Sequence, residues 1–110
     1  MPEPIEIQLK KGALELCVLA LLSKHDNYAY EIASRLADAI GMGEGTIYPL
    51  MRRLQGERLV ETYLVESSAG PPRKYYRLTE AGKLSFNSQK AAWTSFSGAV
   101  DQIVFGGAKT

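Results

Sequence analysis

Residues 45–54 read Gly45-Thr46-Ile47-Tyr48-Pro49-Leu50-Met51-Arg52-Arg53-Leu54. An α-helix advances about 100° per residue, so Ile47, Leu50, Met51 and Leu54 gather on one side of a helix and Tyr48, Pro49, Arg52 and Arg53 on the other. One face is suited to a core. The other presents two guanidinium groups and a phenol. Proline lacks an N–H and fits the first helical turn, where that donor has no intrahelical partner. The expected helix therefore carries Pro49 in its first turn and ends near Gln55.

Upstream, the glycine-rich stretch Gly41-Met42-Gly43-Glu44-Gly45 separates this helix from an earlier one. In that earlier helix Ala29, Ile32, Ala33, Leu36 and Ile40 recur at three- and four-residue spacing, an apolar stripe on one face. Gly41 ends it, because glycine takes the left-handed conformation past a helix terminus. Asp26 and Asn27 are expected to form a loop and cap the helix with a side-chain oxygen. Before them, Leu9 to Ser23 reads as a first helix. Its apolar residues Leu14, Leu16, Cys17, Val18, Leu19, Leu21 and Leu22 lie almost all round, so it must be covered on more than one side. In so small a domain the second cover is expected to be a partner subunit.

Downstream, the periodicity changes. Val60 to Val65 and Arg73 to Leu78 are short segments rich in β-branched and aromatic residues, the composition of strands. Between them Ser67-Ser68-Ala69-Gly70-Pro71-Pro72 can continue neither strand, which predicts a two-stranded hairpin with a six-residue tip. Thr79 is placed to cap a last helix, with Glu80 beside its positive end. From Phe86 on, Phe86, Trp93, Phe96, Val100 and Ile103 follow a 3-4 repeat in which only Gln89 is polar. Gly98 costs roughly 0.5–1 kcal/mol relative to alanine and is expected to bend or loosen the helix. The tail from Gly106 is expected to fray.

A chain of 110 residues has room for one compact unit. Residues 1–78 are expected to form a winged-helix domain and residues 79–110 a C-terminal dimerisation helix. The apolar share of 45% and charged share of 23% are those of a folded domain rather than a disordered one. Net charge is only +1, so contact with nucleic acid must come from local basic surface. Met1-Pro2-Glu3-Pro4 has no basic, apolar leader, and the apolar run Ala13 to Leu22 is interrupted by Glu15 and too short to span a bilayer. A cytoplasmic protein with no membrane partner is expected. The single Cys17 has no disulfide partner and reads as a small core residue. Gly41, Gly43 and Gly45 follow a helix and lack a P-loop lysine, and His25 has no nucleophile or second ligand nearby. No catalytic constellation, metal site or cofactor motif emerges, so no enzyme is expected.

Three helices, a hairpin and a further helix make a mainly α fold with a small β hairpin, the order of a winged helix-turn-helix. A helix with a compact polar face fits the roughly 12 Å major groove of duplex DNA. Arg52 and Arg53 supply forked donors, Tyr48 a hydroxyl, and Arg73 and Lys74 basic groups on the hairpin. Arg35 and Arg58 read as ordinary surface charges. A winged-helix module that binds protein or small molecules without DNA is the alternative.

Three stretches carry a more specific likeness: Asp26-Asn27-Tyr28-Ala29-Tyr30-Glu31-Ile32, Gly45 to Leu54 as quoted, and Arg73-Lys74-Tyr75-Tyr76-Arg77-Leu78-Thr79-Glu80-Ala81-Gly82. In order and spacing they resemble the signature stretches of PadR-type transcriptional regulators, and with the first helix they span nearly the whole chain. The resemblance implies a homodimeric repressor on a pseudo-palindromic DNA operator, joined through the last helix of one subunit and the first of the other. It implies DNA contacts by Thr46, Tyr48, Arg52 and Arg53 on the third helix and by Arg73 and Lys74 on the wing. Lys10 and Lys11 would meet phosphate at the start of the first helix. It also implies a planar aromatic effector held between subunits by Trp93 and Phe96, with Glu15, Leu16 and Asp101 beside them. Two positions depart from the pattern: Ala29 replaces a usual glycine, and the wing tip Ala69-Gly70-Pro71-Pro72 lacks the usual arginines.

Overall fold

The computed structural model describes residues 5–106, and their side chains from Leu9 onward except Lys11. The Lys11 contact and the tail beyond Gly106 therefore lie outside the described residues. The order is α1 (Ile5–Lys24), β1 (Asn27–Tyr28), α2 (Ala29–Ile40), α3 (Glu44–Gly56), β2 (Val60–Val65), β3 (Arg73–Leu78) and α4 (Glu80–Val104). The hairpin strands fall where their composition placed them. Their antiparallel ladder runs from Val60 opposite Leu78 to Val65 opposite Arg73.

β1 was not foreseen. Asn27 pairs with Tyr76 and Tyr28 with Tyr75, giving a three-stranded antiparallel sheet in the order β1-β3-β2. This changes the role expected of Asp26 and Asn27. Tyr28 stands at the N-cap of α2 in an extended conformation and provides no side-chain bond. The Asn27 Oδ1 accepts from the Tyr28 N–H at 2.9 Å, and Asp26 accepts from the Tyr63 hydroxyl at 2.6 Å. The segment is drawn into the sheet by the unpaired edge of β3, where ladder bonds satisfy its backbone better than a cap would.

The core lies between the helices and the inner face of the sheet. Leu14, Val18, Leu19 and Leu22 of α1 meet Ile32, Ala33 and Leu36 of α2, Ile47, Met51 and Leu54 of α3, and Val60, Tyr76 and Leu78 of the sheet. Gly41 ends α2 with φ +71°, and its N–H donates to the Ala37 carbonyl at 3.0 Å. α3 starts a turn earlier than the proline suggested, because the Gly43 carbonyl accepts from both Thr46 and Ile47 at 3.1 Å. Pro49 thus sits inside the helix, not in its first turn. The Gly45 carbonyl, which Pro49 cannot bond, faces an exposed surface where water can serve it.

The cap of α4 is as expected and more elaborate. The Thr79 Oγ1 accepts from the Gly82 N–H at 3.0 Å and donates to the Arg58 carbonyl at 2.7 Å. The Thr79 N–H donates to the Leu59 carbonyl at 3.1 Å. Arg58 adopts a left-handed φ of +62° to make this turn. Gly82 is pressed against it so closely that an added Cβ would collide with the Leu59 carbonyl. α4 then runs through Gly98 without a break in its helical hydrogen bonding. Glycine on an exposed helix face lowers stability without removing any hydrogen bond.

Candidate nucleic-acid interface

Ile47, Met51 and Leu54 are at most 1% exposed and hold α3 by one face. That anchoring fixes what the other face presents. Tyr48 is half-buried and Arg52 exposed on the outward side, while Thr46, also half-buried, lies on the flank of the helix in a groove shared with Glu15 and Arg53. Burial, with the charge of Glu44 adding to it, pushes the Tyr48 phenol above its ordinary value, so it remains a neutral donor at physiological pH. Among the described residues Arg52 pairs with no carboxylate. It is a charge in search of an anion.

Arg53 differs from its neighbour. One terminal nitrogen donates to Glu15 of α1 at 2.6 Å, and the other to both oxygens of Glu57 at 3.0 and 3.1 Å. Two carboxylates thus surround one guanidinium. The second oxygen of Glu15 accepts from the Gln89 amide of α4 at 2.9 Å. Partial burial pushes the Glu15 carboxyl up, but the bonds from Arg53 and Gln89 and the Arg53 charge outweigh it, and the net shift is downward. Sequence spacing brought Arg53 to the outward face with Arg52. It did not reveal a partner 38 residues away in the chain.

The wing presents a second basic surface. Arg73 and Lys74 lie at the tip end of the hairpin, where β3 begins, opposite Val65 and Leu64, and both are exposed. Side chains alternate along the strand, so Tyr76 enters the core while Arg73, Tyr75 and Arg77 share the outer face. There Tyr75 sits between Tyr28 and Tyr63, with ring centroids 5.4 and 5.8 Å away. The Arg73 guanidinium lies 4.5 Å over the Tyr28 ring and that of Arg77 4.8 Å over Tyr63. This ladder of tyrosines under arginines was missed, although the alternation in Arg73 to Leu78 carries its signal. It stiffens the base of the hairpin and leaves the guanidinium N–H groups of Arg73 free to bond outward. Lys10 is placed elsewhere: its Nζ lies over Gly41, at the C-terminal end of α2, where the helix dipole favours a cation.

Trp93, Phe96 and Asp101 line one groove of about 650 Å³ together with Leu9, Gly12 and Val100. Leu16 joins Trp93 and Phe96 in a smaller adjoining recess. Glu15 belongs to neither. It faces a separate groove shared with Thr46, Leu50 and Arg53. Along the outer half of α4, Phe96, Ile103 and Val104 are each more than half exposed, as are Phe105 just past its end and Leu9 of α1. Among the described residues no helix is long and apolar enough to cross a membrane.

The sequence profile of the transcriptional regulator PadR-like family matches residues 18–88, more than half of the chain. The chain belongs to that family. The match takes in the whole of α2, α3 and the three-stranded sheet, the elements that carry the outward pair and the wing. A PadR-like transcriptional regulator from Bacillus cereus is 38% identical, with 89% of this chain aligned to 97% of that one at a TM-score of 0.81. A PadR-like transcription factor from Bacteroides fragilis is 39% identical, covering 93% of this chain and all of its own, with a TM-score of 0.73. Bacillus subtilis PadR in complex with operator DNA shares the fold at 23% identity and a TM-score of 0.63, over 70% of this chain and 46% of that one. The PadR-like winged helix is thus the frame that orients Thr46, Tyr48 and Arg52.

Proposed function

We propose that this PadR-like regulator acts as a homodimeric repressor that inserts α3 into the major groove of a pseudo-palindromic operator and lays its wing on the adjacent backbone. The observation that carries this reading is the outward pair Tyr48 and Arg52, with Thr46 on the flank, on a helix whose opposite face is locked in the core. Arg52 supplies the forked donor for a base edge or phosphate, Tyr48 and Thr46 supply hydroxyls, and Arg73 and Lys74 serve phosphates. Arg53 is left out of the contact set because both of its terminal nitrogens are already bonded to carboxylates, one to Glu15 and the other to Glu57. The operator complex of Bacillus subtilis PadR supports the use of this fold on DNA.

Dimerisation is supported by the exposed apolar stripe of α4 and by Leu9 of α1 beside it. A planar aromatic effector fits the groove between Trp93, Phe96 and Val100, which a second subunit would close, and Asp101 at its edge suits a cationic or donor group. Quenching of Trp93 emission across a panel of planar compounds tests that site. Repression follows from the dimer excluding polymerase from the duplex it occupies.

The test of DNA binding is its salt dependence. Affinity should fall with a logarithmic slope of about −0.9 for each phosphate neutralised. Arg52→Ala should weaken binding to a selected site by roughly 1–3 kcal/mol if it reads a base, while Lys74→Ala should weaken all duplexes alike. A flat salt dependence would instead favour a winged-helix module that binds protein or small molecules.

A further inference from the structure

We propose that Glu15 is a positioning residue, the joint through which α4 sets the placement of α3, and that Arg53 acts as a strut on this joint instead of touching DNA. The inference rests on the DNA-binding reading above for its functional consequence, but its structural half stands alone. α3 packs chiefly on α2 and β2, whereas α4 packs chiefly on α1 and β3. The two helices thus belong to different parts of the core. The Glu15 carboxylate spans them, with Oε1 bonded to Arg53 of α3 and Oε2 to Gln89 of α4.

Gln89 marks the other end of the joint. It is the polar member of an otherwise apolar stripe on α4, and a polar group in such a seam lowers stability while fixing a single register. Both N–H groups of its amide are used, donating to Glu15 at 2.9 Å and to the Ser85 hydroxyl at 3.0 Å. It also forms a wall common to two grooves, one containing Trp93 and Phe96 and the other containing Thr46 and Arg53. A shift of α4 that moves Gln89 must therefore release or redirect Glu15, and with it Arg53. The planar fork of Arg53 serves Glu15 and Glu57 from opposite ends, which a lysine ammonium cannot reproduce.

The sign of one substitution separates this role from direct DNA contact. If Arg53 were a phosphate ligand restrained by Glu15, Glu15→Gln would remove a negative charge, free the guanidinium, tighten binding and steepen the salt slope. As a positioning residue, Glu15→Gln should weaken binding to a duplex selected by the wild-type protein by about three- to tenfold, the range typical of coupling networks, with the salt slope unchanged. Arg53→Lys, which keeps the charge, should weaken it similarly. Gln89→Leu, which touches neither α3 nor DNA, should raise hydrogen exchange of the amides at 50–54 in the DNA-free protein, as should Glu15→Gln. Tighter binding by Glu15→Gln, full retention by Arg53→Lys, or α3 exchange unchanged in both Glu15→Gln and Gln89→Leu would each overturn the proposal. Should the wild-type protein bind no duplex, the DNA reading falls, and the exchange measurement still decides whether the joint exists.

Discussion

α3 and α4 both carry an apolar stripe, yet their stripes meet different fates. On α3, Ile47, Met51 and Leu54 vanish into the core of their own chain. On the outer half of α4, Trp93 is 49% exposed, Phe96 64% and Ile103 84%. A 25-residue helix is about 37 Å long at 1.5 Å per residue, and the domain offers cover only for its first turns, where Phe86 packs on the core. Periodicity says that a face will be buried but not by what. The α3 stripe is satisfied within one molecule; the α4 stripe is left exposed, which is what the proposed dimer would bury.

The contrast has measurable consequences of decreasing size. Leu54→Ala should lower unfolding free energy by about 2–5 kcal/mol at any protein concentration, because the cavity lies inside one chain. Denaturant titration at two concentrations checks it. Gly82→Ala attacks the contact between the two regions, where the first turn of α4 packs on the turn that follows α3. The backbone of Leu59 must move to admit a methyl group, at a cost of about 3 kcal/mol, read from the shift of the urea midpoint.

Ile103→Ser should have the opposite character to Leu54→Ala. Intrachain packing changes little, but each subunit loses apolar area worth roughly 1.5–3 kcal/mol on burial, so the dimer should weaken by at least about tenfold. Sedimentation equilibrium would register this, and an unchanged mass distribution would place the interface elsewhere.

The smallest effect is on pH dependence. The folded-state pKa of Glu15 is depressed, so its pairing with Arg53 contributes fully above the usual carboxylate range and is lost as pH falls through the folded value. Glu15→Gln should therefore flatten the loss of stability below about pH 4, near the reference carboxylate value. The difference should be modest because Arg53 is half-exposed.

Much of this arrangement was legible in the sequence. The two faces of α3, the strand segments of the hairpin, the Gly41 terminus and the Thr79 cap all follow from local periodicity and local hydrogen-bonding chemistry. What escaped was long-range or too short to show a period. β1 has two residues and exists only because β3 offers it an edge. Pro49 misled because its missing N–H was weighed without the two bonds that Gly43 accepts upstream. The need for glycine at Gly82 comes from the Leu59 carbonyl, 23 residues earlier, and has no local signal. Arg53 has the spacing of a contact residue, and its bond to a carboxylate on α1 has no signal in local spacing.

Selection of duplexes from a random pool by the purified protein tests the central claim most directly, since it asks whether two copies of α3 act together on DNA. The account predicts enrichment of an inverted repeat with half-sites about 34 Å apart, one helical turn, centre to centre. Recovery of no preferred sequence, or of a single unrepeated site, would contradict it.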